Sequence, residues 1–133
     1  MTTVQRVAQI IGWISVIIGI LAFFVTGFGM EASVATAPRL FGLFPFNFLH
    51  ALVHVGLGIW GIAAARAWSS ARSYCRITGI IFIVLGFLGF ITPRFFGIMP
   101  IGSHNIWLHF ILGVILAYAG FTAREAPPAR AAP

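Results

Sequence analysis

Apolar residues run along this chain in four blocks, at residues 7–28, 47–65, 77–92 and 105–122, and the short stretches between them hold nearly all of the charge. Each block lies near the ~20 residues that an α-helix, rising ~1.5 Å per residue, needs to cross a hydrocarbon core ~30 Å thick. The pattern predicts an all-α integral membrane protein, a four-helix bundle in one transmembrane domain over residues 1–125. The third block is the shortest, and Phe95 and Phe96 would extend it at the membrane surface.

A second pattern lies on the first. Arg39, Phe41, Gly42, Pro45, His54, Leu57 and Gly58 recur at a constant offset as Arg94, Phe96, Gly97, Pro100, His109, Leu112 and Gly113. So many identities at one spacing predict an internal duplication whose unit is a helical hairpin. The two copies are then parallel in topology and related by a pseudo-twofold axis along the membrane normal. Gly12 and Gly19 align with Gly79 and Gly86, each pair two helical turns apart and therefore on one face. Small residues let backbones approach in lipid, where dispersion rather than water exclusion drives association. These faces read as packing seams, and the contact between the two repeats is where they are expected to meet. Ahead of the second helix of each copy, residues 39–46 and 94–101 form an amphiphilic segment suited to the membrane surface, ended by Pro45 and Pro100, which cannot continue into a helix.

Composition removes the soluble classes. At 60% hydrophobic and 8% charged, the chain has too little polar surface for a monomeric globule. The net charge of +6 comes from eight arginines set against Glu31 and Glu125, without lysine or aspartate. Scattered singly at helix ends, these arginines encode topology rather than a nucleic-acid surface. Arg6, Arg66, Arg72, Arg76, Arg124 and Arg130 fall on one side and only Arg39 and Arg94 on the other, so the positive-inside rule puts both termini in the cytoplasm. Arg39 and Arg94 break that rule at matching places, which calls either for a specific partner or for lipid phosphate reached by snorkelling. The expected partners are the lipid bilayer and other membrane subunits, with no nucleic acid. Cys75 is alone, so neither an intrachain disulfide nor a thiolate metal site is expected. An Ala-x-Ala tripeptide at residues 35–37 lies too far beyond too long an apolar block to mark a cleaved leader. Residues 126–133, rich in Ala and Pro, read as a disordered cytoplasmic tail.

Candidate chemistry is confined to one constellation. Asn47, His50 and His54 follow one another at spacings of three and four and share a helix face; Asn105 and His109 repeat the i, i+4 spacing, with His104 just before. The duplication aligns His50 with Asn105 and His54 with His109. His54 lies ~10 Å below the start of its helix, a depth at which polar groups must face the interior and find partners. The favoured reading is a hydrogen-bonded polar layer that fixes helix register, closed by Arg39 and Arg94, with no cofactor and no metal. A second reading makes His54 and His109 the two axial ligands of haem b, or single ligands to chlorophyll-type pigments, with Gly58 and Gly113 leaving room beside a macrocycle. A third is a small transporter or proton relay lined by His50, His54 and Arg39. Conventional catalytic sets are absent: there is no aspartate, both glutamates lie outside the spans, and the glycines fall within apolar helices. The chain is not expected to be an enzyme.

The segments Asn47 to Gly58 and Asn105 to Gly113, each containing His-x-x-x-Gly, resemble the domain of unknown function 4383 family, small bacterial four-helix membrane proteins. The resemblance spans roughly residues 7–122. Ala51 stands where the family usually has asparagine, and Asn105 where it usually has an acidic residue. The resemblance implies the four-helix fold and a bacterial inner membrane, and no activity. Taken together, the expected role is that of a structural or accessory subunit of a larger membrane assembly.

Overall fold

The computed structural model describes residues 1–125; the tail expected at 126–133 lies outside them. Within these residues the chain is helical apart from one small strand pair. Four α-helices follow in order: α1 Thr3–Thr26, α2 Phe48–Ala64, α3 Trp68–Ile91 and α4 Asn105–Thr122. Between α1 and α2, β1 (Arg39–Leu40) pairs antiparallel with β2 (Phe44–Pro45); between α3 and α4 lies a 3-10 turn, Phe95–Gly97. Helices α1, α3 and α4 are long and apolar enough to cross a membrane, whereas α2 is apolar but has 17 residues.

Helix α3 departs furthest from the hydropathy pattern. It begins at Trp68, well before the apolar block, and with 24 residues it is far from the shortest. Its polar first turns survive because their charges have somewhere to go. The Arg72 guanidinium lies 5.2 Å from the Trp68 ring centroid and that of Arg76 lies 4.8 Å from Phe121. Arg76 Nε also donates to the Gly120 carbonyl at 2.9 Å, and the Ser70 hydroxyl donates to that of Ala64 at 2.7 Å. Phe95 and Phe96 do not extend α3, which ends at Ile91 with Thr92 as its C-cap.

Helix α1 packs along α2, and α3 along α4. Glycine allows the close approach within each pair. A Cβ on Gly58 would stand 2.5 Å from the Gly12 carbonyl oxygen, and one on Gly12 2.8 Å from the Ile62 nitrogen. A Cβ on Gly19 would stand 2.7 Å from the Ala51 carbonyl oxygen. In the second hairpin a Cβ on Gly79 would stand 2.5 Å from the Ala117 nitrogen, one on Gly113 2.8 Å from that of Ile83, and one on Gly86 2.9 Å from the Phe110 ring. The seams therefore lie inside each hairpin, not between the repeats as the sequence pattern suggested. The two antiparallel helices of a hairpin touch along their length, and only there do backbones need to meet; between hairpins larger side chains fill the space. Tyr74, Phe82, Leu112 and Leu116 belong to the core cluster shared by all helices, and Leu40, Phe44 and Phe46 to a second one beneath the loops. Helices α2 and α4 have little backbone contact with each other.

Candidate functional site

The start of each hairpin's second helix is fixed by an asparagine that reaches the other hairpin. Asn47 is the N-cap of α2: its Oδ1 accepts the His50 backbone N–H at 2.9 Å, while its Nδ2 donates to the Ile98 carbonyl at 2.8 Å. Asn105 opens α4, and its Nδ2 donates to the carbonyls of Pro45 at 2.6 Å and Pro100 at 3.0 Å. Each asparagine thus holds down the loop of the opposite hairpin.

One turn below, three histidines converge. His50 and His54 on one face of α2 meet His109 from α4, and a ring nitrogen of each lies within 4.8 Å of the others. Their relative exposures are 3%, 1% and 1%. Phe46 stacks on His50 with ring centroids 4.2 Å apart, and Phe82 stacks on His109 at 5.5 Å and on His54 at 6.0 Å. Nδ1 of all three histidines, Nε2 of His54 and Oδ1 of Asn105 have no hydrogen-bond partner. Both polar side-chain atoms of Asn47, and Nδ2 of Asn105, are spent on loop carbonyls and backbone, so neither asparagine donates to an imidazole.

Arg39, Arg94 and His104 stand outside this layer. Arg39 donates to the carbonyls of Leu43 at 3.0 Å and Val34 at 2.6 Å and to Ser103 Oγ at 3.2 Å, tying the two loops together. Arg94 is exposed. The Ser33 backbone N–H, the Thr36 side chain and the Arg94 charge together hold the Glu31 carboxyl below its usual range. His104 Nδ1 accepts from Trp107 Nε1 at 2.9 Å. All three precede their helices, where loop geometry rather than helical periodicity aims the side chain. Arg39→Ala is expected to lower unfolding free energy by ~1–2 kcal/mol, since exposed neutral acceptors are the partners lost. Denaturant titration in detergent would measure it.

A macrocycle between His54 and His109, whose rings are 6.4 Å apart and nearly parallel at 17°, would have to displace Phe82 and His50, which pack against both. Gly58 and Gly113, which would have made room beside it, are filled by α1 and α3 respectively. A pigment held by a single histidine meets the same burial. Beyond His54 the interior is occupied by Phe82, Leu112 and Leu116, with the Ser15, Thr78 and Tyr74 hydroxyls buried and unpartnered.

The sequence reading missed Phe46 and Phe82 as walls of the layer. A signal for Phe82 existed: it lies three residues after Gly79 and four before Gly86, on the seam face, and the equivalent position of α1 is Ser15, also fully buried. Phe46 carries no such signal.

The family model described as Domain of unknown function (DUF4383) matches residues 5–122 of the chain. No curated protein and no solved structure matches it.

Proposed function

Since the chain belongs to the DUF4383 family, a domain of unknown function, we propose, on its own geometry, that it is a multi-pass protein of the bacterial inner membrane serving as a structural or accessory subunit rather than an enzyme. The helices form a four-helix bundle of two parallel hairpin repeats, with the termini in the cytoplasm and the asparagine-clasped loops on the outer side. Helix α2, at ~26 Å for 17 residues, completes its span by slight local thinning of the bilayer.

The observation that carries this reading is the sealing of every buried polar side chain. The three histidines sit beneath Phe46 and Ile101, both fully buried, and the loops above are pinned across the hairpins. Walled by Phe46 and Phe82, the histidines leave no room beside them for an organic substrate. What the chain offers its surroundings is an apolar perimeter, with Phe24, Phe87, Phe90, Val114 and Tyr118 exposed along the helices. Such a surface dissolves in lipid and packs against other membrane helices. Glu31 and Arg39 mark the outer loops as the polar rim of that interface.

Affinity purification of the full chain from its native membrane in mild detergent should recover one or more membrane proteins in fixed ratio. A lone monomer with nothing bound to it, under detergents that keep other membrane complexes intact, would refute the accessory role.

A further inference from the structure

We propose that His50, His54 and His109 bind a single copper(I) ion within the membrane-spanning part of the protein. The proposal stands independently of the accessory role.

The geometry comes first. Three nitrogens no more than 4.8 Å apart sit at most ~2.8 Å from a common centre, against the ~2.0–2.1 Å of a metal–imidazole bond. Inward shifts of ~0.7 Å each therefore complete a three-coordinate site, well within the reach of small χ adjustments. Two ligands come from one helix at a spacing of one turn and the third from the facing helix, so the set converges without any loop having to move.

The state of the nitrogens comes second. A neutral imidazole has one N–H and one lone pair, and a buried acceptor with nothing to accept is costly. Here Nδ1 is unpartnered on each of three adjacent, almost fully buried histidines. A metal ion would take three lone pairs at once.

Charge and ligand type select the ion. The set is all imidazole, which suits copper and zinc and disfavours the oxygen-seeking magnesium and calcium. Both acidic residues, Glu31 and Glu125, are exposed and lie outside the helices, so no carboxylate is buried with the histidines. The cost of burying an ion grows with the square of its charge, making a monovalent ion about a quarter as costly as a divalent one. Zinc in closed sites also takes four ligands, and three histidines walled by Phe46 and Phe82 offer a trigonal shell. Because α2 and α4 scarcely touch through their backbones, an ion between His54 and His109 would join the two hairpins directly.

The test uses the full chain in detergent, stripped with a chelator and reloaded anaerobically with copper(I) or zinc(II) in competition. The expected result is one copper per chain after desalting, an X-ray absorption shell of nitrogen only, and a raised melting temperature in the loaded protein. His54→Ala and His109→Ala should each reduce retained copper at least tenfold, and His104→Ala should leave it unchanged. If the alanine variants do not fold, the stoichiometry and nitrogen shell of the unaltered chain still decide. Copper lost on desalting, copper retained equally by His54→Ala and His109→Ala when these are folded, a sulfur shell from Met99 or Cys75, or zinc bound in preference would each overturn the assignment.

Discussion

Gly58→Ala is expected to destabilise the protein by ~3 kcal/mol or more, whereas Gly56→Ala, two residues away on the same helix, is expected to stay within ~0.5 kcal/mol. The added Cβ at position 58 would meet three atoms of α1: the Gly12 carbonyl oxygen at 2.5 Å, Val16 Cγ2 at 2.6 Å and the Val16 nitrogen at 2.7 Å. Two of these are backbone and cannot rotate away, so α1 and α2 must separate. Separation forfeits contact along the whole seam, including Gly19 against Ala51, which is why the effect sits at or above the upper end of usual overpacking penalties. At Gly56 nothing lies within 4 Å of the new atom. Gly79→Ala should reproduce the loss in the second hairpin, where the Ala117 nitrogen stands 2.5 Å from the added carbon. Unfolding titrated with a denaturing detergent and followed by tryptophan fluorescence reads all three; equal stability of the Gly56 and Gly58 variants would show that the helices are not in backbone contact.

Asn105→Leu should have the next largest effect, ~2–4 kcal/mol. Leucine keeps the same branched skeleton of side-chain heavy atoms but supplies no N–H, leaving the Pro45 and Pro100 carbonyls without the donor that now reaches them at 2.6 and 3.0 Å. Each unsatisfied buried carbonyl costs ~1–3 kcal/mol. The consequence should be visible in place as well as in magnitude: amide hydrogen exchange should quicken around β2, Phe44–Pro45, more than at the far ends of the helices. A variant as stable as the parent, with exchange unaltered near Pro45, would mean that water or another side chain replaces the asparagine.

Periodicity and the recurring residue pattern are enough to bring the central features together. Spacings of three and four placed His50 and His54 on one face, and the repeat placed His109 opposite them, because a helix leaves each side chain little choice of direction. Where the chain is not helical that logic stops. Arg39 matches Arg94 in sequence, yet one guanidinium clasps Val34, Leu43 and Ser103 while the other is exposed. The loops also hold Phe41 and Phe96 at positive φ of 55° and 56°, each followed by a left-handed glycine, a strained conformation for an aromatic residue that hydropathy does not register. The seam glycines were recognisable as a class, but their partners were not, since a face identifies what packs and not what it packs against. At the start of α3, hydropathy misled because Arg72 lies over Trp68 one turn before it and Arg76 over Phe121, which only the fold brings near.

The crossed asparagines set an order on how the protein is made. During synthesis the first hairpin is made before Asn105 exists, so its Pro45 carbonyl must wait for α4, while Asn47 waits for Ile98 in the second loop. The clasp above the histidines is complete only when both hairpins are present, since each supplies the donor that the other's loop carbonyl needs. A chain severed at the short link between α2 and α3 should still assemble when both fragments are made in one membrane, because each fragment keeps its own seam and supplies the clasp the other lacks. Neither fragment alone should complete its outer loop.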